Sequence, residues 1–113
     1  MILWHNPRCS KSRQTLQLLR EHGHEPEIVE YLKTPPTEEQ IREALQLLGL
    51  SARDLMRRKE SEYKEQGLDD PALSEEALIA AMVKTPKLIE RPILFANGKA
   101  AIGRPPENVL AIL

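Results

Sequence analysis

The strongest constraint on the fold of this chain is the dipeptide Asn97-Gly98, which lies between two short, mostly apolar stretches. These stretches are Ile93–Ala96 before the dipeptide and Lys99–Ile102 after it. Asn-Gly is a preferred pair for a type I′ turn, because both central residues of that turn need a positive φ. The segment therefore predicts a β-hairpin in which two neighbouring strands run antiparallel.

The amino-terminal third of the chain predicts a strand, a helix and a second strand. Ile2–Trp4 is a short apolar run of the kind found in a buried central strand. A helix is predicted from about residue 10 to residue 22, with its leucines towards the core and Gly23 as its stop. Residues 27–32 predict the second strand, and a strand–helix–strand unit of this kind forms a parallel pair.

The long stretch between the second strand and the hairpin predicts a block of helices. Thr37 and Gln40 have the spacing of a capping box. Ser51 and Ser74 begin two further helices, and residues 60–66 predict a charged surface helix. Because a stretch of roughly sixty residues is too long for a plain loop, it must form a helical subdomain.

The order of these elements predicts an α/β fold. A last short helix follows Pro105-Pro106, so the chain reads β-α-β, a helical block, then β-β-α. This order gives a four-stranded mixed sheet flanked by helices, the plan of a thioredoxin-like fold. We expect residues 1–113 to form a single domain, with the helical subdomain inserted between strands two and three at about residues 37–90.

Composition argues against several classes of protein. The chain has 113 residues, of which 41% are hydrophobic, so it can bury a core without disulfides. Its net charge is −1, with 16 basic and 17 acidic residues, which gives no strong field for nucleic acid or an anionic membrane. The longest apolar run, residues 77–83, is too short to span a bilayer, and no signal peptide is visible. We expect a cytoplasmic protein.

Cys9 is the only cysteine of the chain, and it lies between the first strand and the first helix. Because one thiol cannot form an intramolecular disulfide, any redox chemistry at Cys9 needs a thiol from another molecule. The free N–H groups at a helix start favour a thiolate. Four basic side chains lie close to it in sequence: His5, Arg8, Lys11 and Arg13. A small buried hydrophobic cysteine is the alternative, but these polar surroundings favour a reactive thiol.

Other cysteine chemistries fit the sequence poorly. A single cysteine and three histidines without a closed ligand spacing do not make a metal site. Thr15 occupies the position where a cysteine phosphatase carries its arginine. Ser12 occupies the position of the second cysteine of a Cys-x-x-Cys oxidoreductase; it can donate a hydrogen bond to a thiolate but cannot resolve a disulfide.

Several separated motifs resemble those of the glutaredoxin-linked arsenate reductase family. They are His5-Asn6-Pro7-x-Cys9-x-x-Ser12-Arg13, Tyr31-Leu32-Lys33-Thr34-Pro35-Pro36, Leu55-Met56-Arg57, Glu90-Arg91-Pro92-Ile93 and Gly103-Arg104-Pro105. The likeness extends over essentially the whole chain, and the motifs occur in the family's order. The resemblance implies a thioredoxin-like fold and an arsenate reductase activity.

The resemblance also implies a role for each matching residue. Cys9 matches the nucleophile that attacks arsenate, and His5 matches a histidine that helps to lower the thiol pKa. Ser12, in the same segment, is the third catalytic candidate. Pro92 matches the cis-proline of thioredoxin-like folds. Three arginines match those that bind the oxyanion: Arg57, Arg91 and Arg104.

Elementary chemistry supports these arginines as oxyanion ligands. The planar guanidinium offers paired, permanently charged donors to a tetrahedral oxyanion. Arg91 precedes the predicted hairpin and Arg104 follows it, so we expect the two to lie together at one end of the sheet. Arg57 would reach in from the helical block. A surface charge or a carboxylate pair is the alternative for each of them.

Reduction of As(V) to As(III) takes two electrons and therefore two thiols. In the expected reaction the Cys9 thiolate attacks bound arsenate, and glutathione then attacks, reduces the arsenic and leaves a mixed thiol–arsenic adduct. Glutaredoxin resolves this adduct, and arsenite leaves. The expected partners are arsenate, glutathione as co-substrate and glutaredoxin, and we expect a monomer without a bound cofactor or metal.

Two other functions are open within the same family. Some of its members are cysteine-pair regulators that bind RNA polymerase under thiol stress; Ser12 argues against a disulfide switch here, but not against a binding role. A general glutathione-linked thiol oxidoreductase with weak arsenate activity is the other alternative. Ser10-Lys11 stands where many of the reductases have Gly-Thr, which keeps this second alternative open.

Overall fold

The computed structural model describes all 113 residues and contains one mixed sheet with the strand order β2-β1-β3-β4. The strands are β1 (Ile2–Trp4), β2 (Glu27–Val29), β3 (Ile93–Ala96) and β4 (Lys99–Ile102). Strand β1 pairs in parallel with β2 and antiparallel with β3, and β3 pairs antiparallel with β4. The predicted four-stranded mixed sheet, with β1 at its centre, is confirmed.

Five α-helices and two 3₁₀ helices complete the secondary structure. The α-helices are α1 (Ser10–Glu21), α2 (Glu38–Leu48), α3 (Ala52–Leu55), α4 (Ser61–Glu65) and α5 (Glu75–Lys84). The 3₁₀ helices are Pro86–Leu88 and Pro106–Ile112, so the last predicted helix is present in the tighter 3₁₀ form. None of these helices combines the length and the apolar character needed to cross a membrane.

The chain divides into two compact units. The first, called here the sheet unit, comprises Met1–Thr34 and Arg91–Leu113 and contains the sheet, α1 and the 3₁₀ helix Pro106–Ile112. The second, called here the helical unit, comprises Pro35–Glu90 and contains α2 to α5. The sheet unit is therefore assembled from both ends of the chain, and its core is formed by residues distant in sequence.

The core of the sheet unit is mainly aliphatic. Leu3, the middle residue of β1, lies opposite Ile28 on one side and Leu94 on the other. Leu3 and Leu94 are fully buried, together with Leu19 of α1 and Val109 of the terminal 3₁₀ helix. Burying a leucine of this kind contributes about 1.5–3 kcal/mol relative to leaving it exposed. The helix α1 is thereby held against the sheet.

The buried face of α1 is more polar than its leucines predicted. Ser12 and Thr15 are fully buried beside Leu19, whereas Leu16 and Leu18 are only partly buried. Polar side chains can occupy core positions when their hydrogen bonds are satisfied within the protein. The apolar pattern therefore located the helix correctly but did not identify the face that packs on the sheet.

Strand β2 is shorter than predicted, because it ends at Val29 and not at residue 32. The backbone N–H groups of Lys33 and Thr34 both donate to Glu30 O at 2.9 Å, which closes a turn. Tyr31 is only 1% exposed inside this turn, while Leu32 is 43% exposed. Tyr31 and Leu32, the last two residues of the predicted strand, instead belong to the turn.

The predicted hairpin and helix caps are confirmed. Asn97 and Gly98 have φ values of 54° and 71°, as a type I′ turn requires. The hydroxyl of Thr37 accepts from Gln40 N at 3.1 Å, and the Gln40 side chain accepts from Thr37 N at 3.0 Å. The hydroxyl of Ser74 caps α5 by accepting from the backbone N–H of Ala77, the third residue of the helix, at 3.1 Å. Each cap satisfies backbone donors that a helix start leaves unpaired.

Candidate active site

Cys9 stands at the junction between the sheet and α1. It is the N-cap residue of α1, with an extended backbone (φ −91°, ψ 125°). Its own N–H donates to Asn6 O at 3.0 Å, which closes the turn between β1 and the helix. The thiol is free and partly buried. The sulfur therefore lies at the positive end of a helix while remaining open to reaction.

Arg104 is the side chain that contacts the thiol. Its Nη2 donates to Cys9 Sγ at 3.6 Å. Its Nε donates to the carbonyl oxygen of Arg91 at 2.8 Å, which fixes the direction of the guanidinium. Arg91 and Arg104 are thus brought together at the end of the sheet where β3 begins and β4 ends.

The backbone around these arginines is tightly packed. The Arg91–Pro92 and Arg104–Pro105 peptide bonds are both cis; the second of these was not anticipated from the sequence. Gly103 N donates to Pro92 O at 2.9 Å. A Cβ on Gly103 would lie 2.8 Å from Pro92 Cγ and would also overlap the hydroxyl of Thr15. Glycine is therefore required next to Arg104 by space and not by an unusual φ.

The pKa of the Cys9 thiol is lowered from its ordinary value as the result of opposing causes. Partial burial is the largest single cause and acts to raise the pKa, because a thiolate is less well solvated inside the protein. The groups that act in the opposite direction are, in decreasing order, the backbone N–H of Ser12, the charge of Arg91, the backbone N–H of Lys11 and the charge of Arg104. Their sum outweighs burial, so the thiolate is more populated than in a free cysteine.

Ser12 acts on the thiol through its backbone and not through its hydroxyl. The hydroxyl oxygen accepts from Asn6 N at 3.0 Å and lies 2.7 Å from His5 Nδ1. The expected donation from the Ser12 hydroxyl to the thiolate is therefore replaced by donation from the Ser12 N–H. The hydroxyl instead ties the start of α1 to the loop that leaves β1.

His5 is connected to Cys9 through this serine. It is 6% exposed, and burial is the largest cause that lowers the pKa of its imidazole, opposed by the charge of Glu30. Its backbone N–H donates to Val29 O at 2.9 Å, which extends the pairing of β1 and β2 by one residue. A neutral, buried imidazole of this kind positions the Ser12 hydroxyl and adds no positive charge beside the sulfur.

The side-chain charges that lower the pKa of Cys9 do not come from the basic residues nearest to it in sequence. Arg13 Nη1 donates to Pro7 O at 3.0 Å and so braces the loop. Arg8 and Lys11 are exposed. The side-chain charges that lower the thiol pKa come from Arg91 and Arg104, across the fold. Closeness in sequence therefore did not identify the charges that act on the thiol, whereas the position of Arg91 and Arg104 on either side of the hairpin did.

Arg57 belongs to the helical unit and is held there by carboxylates. Its guanidinium forms ion pairs with Glu60 and, at 3.9 Å, with Glu90. Its backbone N–H donates to Leu88 O at 2.7 Å, beside the isolated bridge between Met56 and Ile89. A role for Arg57 towards the oxyanion stays a prediction.

The sheet-unit residues form an arrangement that suits one kind of chemistry. A partly buried sulfur, two backbone N–H groups and the Arg104 guanidinium come together at the start of α1, and the charge of Arg91 also acts on the thiol. Donors of this kind stabilise negative charge that arrives with an anion or develops during attack. No cluster of three or more His, Cys, Asp or Glu side chains has the arrangement of a metal site.

Known proteins match this chain over nearly its full length. It matches the ArsC family over residues 4–112. It is 54% identical over 112 residues to an arsenate reductase of Neisseria meningitidis, covering 98% of this chain and 96% of that one. It is 63% identical over 112 residues to YfgD of Escherichia coli K12, a protein described as uncharacterized, covering 98% and 94%. The structure superposes on an arsenate reductase from Vibrio cholerae with a TM-score of 0.97 at 53% identity, covering 99% and 96%.

Proposed function

Because this chain belongs to the ArsC family, as its motifs predicted, we propose that it reduces arsenate to arsenite through Cys9, with glutathione and glutaredoxin as external thiols. The thioredoxin-like α/β fold is shared with the Vibrio cholerae arsenate reductase. The observation that carries the proposal is the contact of Arg104 Nη2 with Cys9 Sγ at 3.6 Å, beside Arg91. This contact supports the proposal because a guanidinium, a group suited to binding anions, lies next to the only thiol of the chain.

Arg91 and Arg104 bind the oxyanion in this proposal. Arsenate is a tetrahedral oxyanion, and two guanidinium groups can donate to several of its oxygens at once. Arg104 Nε donates to Arg91 O, and Nη2 of the same guanidinium contacts the Cys9 sulfur. Arg57 is the third oxyanion ligand, as the family resemblance implies.

The first chemical step is attack of the Cys9 thiolate on arsenic. A sulfur–arsenic bond forms and a water or hydroxide leaves, so arsenic stays As(V). The lowered pKa of Cys9 increases the thiolate fraction at neutral pH. The charges of Arg91 and Arg104 that lower this pKa also offset the negative charge that the attack brings onto the arsenate oxygens.

The remaining steps supply two electrons from outside the chain. Glutathione adds its sulfur to the Cys9-bound arsenic and displaces a second water. Unlike in the order first expected, arsenic stays As(V) in this step, because one thiol cannot supply both electrons. A glutaredoxin thiolate then attacks the glutathione sulfur, a glutaredoxin–glutathione disulfide forms, and the electron pair of the sulfur–arsenic bond reduces arsenic to As(III). Water finally releases arsenite from Cys9 and returns the thiol. With one cysteine per chain, the second thiol has to be external.

His5 and Ser12 are positioning residues in this proposal. The Ser12 hydroxyl binds both Asn6 N and the His5 ring, which holds the turn before Cys9 and the first turn of α1 together. This contact keeps the Ser12 N–H directed at the sulfur. Removing either partner leaves a buried polar group unsatisfied and disturbs that geometry.

A coupled assay tests the proposal. NADPH oxidation is followed in the presence of glutathione, glutathione reductase, glutaredoxin and arsenate. We expect turnover that is lost in Cys9→Ser and kept in the control variant Lys99→Ala, which changes an exposed residue. Retained arsenate reduction in Cys9→Ser would exclude the mechanism. Turnover with disulfide substrates alone identifies a general thiol oxidoreductase. Capture by RNA polymerase without either activity identifies a regulator.

A further inference from the structure

A pocket of about 290 Å³ lies between the active-site loop and the turn that follows β2. Its main walls are His5, Pro7 and Arg8 from the loop and Glu30, Leu32 and Lys33 from the turn. All of these residues belong to the sheet unit. Leu32 and Lys33 lie in the Tyr31–Pro36 motif, to which the reaction steps above assign no role.

The charged groups of this pocket are two cations and one carboxylate, from Arg8, Lys33 and Glu30. Lys33 Nζ lies 3.6 Å from Glu30 Oε1, and the lysine side chain is 79% exposed. An exposed ion pair of this kind is weak, so a charged ligand can replace Glu30 as the partner of Lys33, or Lys33 as the partner of Glu30. The pocket therefore offers two donors for anionic groups and one acceptor for a cationic group.

Glutathione carries the complementary set of charges. At neutral pH this tripeptide thiol has two carboxylates and one ammonium group. We infer that the pocket binds glutathione, with its carboxylates on Arg8 and Lys33 and its ammonium group on Glu30. The inference rests on the proposed function, in which glutathione is the external thiol.

The position and the walls of the pocket fit this ligand. Pro7 and Arg8 belong to the loop that leads into Cys9, so a tripeptide held in the pocket lies beside the active-site loop. Leu32 is 43% exposed and, with Pro7, gives an apolar wall for the methylene groups of the ligand. The volume is at the small end of ligand clefts, which suits the ends of a short peptide better than a bulky molecule.

A second groove of the sheet unit is less suitable. It has a volume of about 470 Å³ and lies between α1 and the segment after Arg104. Its charged residues are Lys11, Glu21 and Glu107. Because two carboxylates line this groove, a ligand with two carboxylates of its own is repelled there. The charges thus distinguish the two openings for glutathione.

Steady-state kinetics in the full coupled assay test the inference, because the KM for glutathione and the KM for arsenate are measured separately. In Arg8→Ala/Lys33→Ala we expect the KM for glutathione to rise about tenfold while the KM for arsenate is unchanged. Lys99→Ala, which removes a cation at the far end of the hairpin, is the matched control and should change neither value. An unchanged glutathione KM in the double variant, or an equal rise of both KM values, would overturn the inference.

Binding of S-methylglutathione, which cannot react, gives a readout independent of turnover. In amide-resolved NMR titrations we expect shifts at residues 5–8 and 30–33 that are lost in the double variant. Shifts confined to Lys11 and its groove would overturn the inference. If S-methylglutathione binds at the pocket but arsenate is not reduced, the glutathione site is confirmed and the proposed function is wrong. If arsenate is reduced with glutathione and no shifts occur at the pocket, the glutathione site is wrong and the proposed function is unaffected.

Discussion

Arg104 in the sheet unit and Arg57 in the helical unit were both assigned to the oxyanion, but their surroundings differ. Arg104 Nε is held by a backbone carbonyl, that of Arg91, and its Nη2 contacts the Cys9 sulfur. Arg57 forms ion pairs with the carboxylates of Glu60 and Glu90. A carbonyl orients a guanidinium without cancelling its charge, whereas a carboxylate cancels it.

The difference shows how an arginine is prepared for an anion. A guanidinium held by a carbonyl keeps its charge for the thiolate and for an arriving oxyanion. A guanidinium paired with carboxylates has to give up one partner before it binds an oxyanion, so its net gain is smaller. We therefore expect the two arginines to differ in their importance, although the family resemblance assigns both the same role.

The largest effect is expected for Arg104→Ala. We expect kcat/KM for arsenate to fall by about 100-fold, because one donor to the developing charge is lost and the thiolate fraction of Cys9 decreases. The measurement is the coupled NADPH assay at saturating glutathione and glutaredoxin. A loss of less than about threefold would mean that Arg104 binds the sulfur without serving the reaction.

A smaller effect is expected for Arg57→Ala. We expect kcat/KM for arsenate to fall by about fivefold, since the oxyanion gains little from a guanidinium that already has carboxylate partners. Arg57→Ala/Glu60→Gln, which also removes the charge of one carboxylate partner of Arg57, separates the loss of stability from the loss of binding. If Arg57→Ala lost as much activity as Arg104→Ala, the contrast between the two arginines would be wrong.

Local signals were readable from the sequence, and this explains which predictions succeeded. The turn at Asn97-Gly98 and the cap at Thr37 depend on a few adjacent residues, so their chemistry fixed them. The approach of Arg91 to Arg104 followed from the hairpin between them. These features need no knowledge of how distant segments pack.

Predictions that depended on tertiary partners were incomplete. Ser12 was expected to use its hydroxyl on the thiolate, but that hydroxyl is taken by His5. The carboxylate partners of Arg57 were not identified, because nothing local marks Glu90 as one of them. The end of β2 was misplaced, since Tyr31 is buried in a turn and not in a strand.

The smallest expected effect is a change in the pH dependence of the Tm, caused by His5 of the sheet unit. All three histidines lie in the sheet unit, and His5 is the buried one. Burial lowers its pKa below the ordinary value of about 6.5, so its stabilising contribution is present above that pH and is lost as the pH falls through the lowered pKa. We expect acidification from pH 7.5 to pH 5 to lower the Tm less in His5→Gln than in the unaltered chain. Parallel losses of Tm would contradict this account.

The central claim is that the Cys9 thiolate is stabilised by arginines from the flanks of the hairpin and not by the cations beside it in sequence. Titration of Cys9 by the ultraviolet absorbance of its thiolate tests this directly, in the unaltered chain and in Arg91→Leu, Arg104→Leu and Lys11→Leu. Lys11→Leu keeps the backbone N–H that acts on the sulfur and removes only the exposed charge. We predict that the pKa of Cys9 rises in both arginine variants, more in Arg91→Leu, and stays unchanged in Lys11→Leu. A rise in Lys11→Leu with no rise in the arginine variants would contradict the claim.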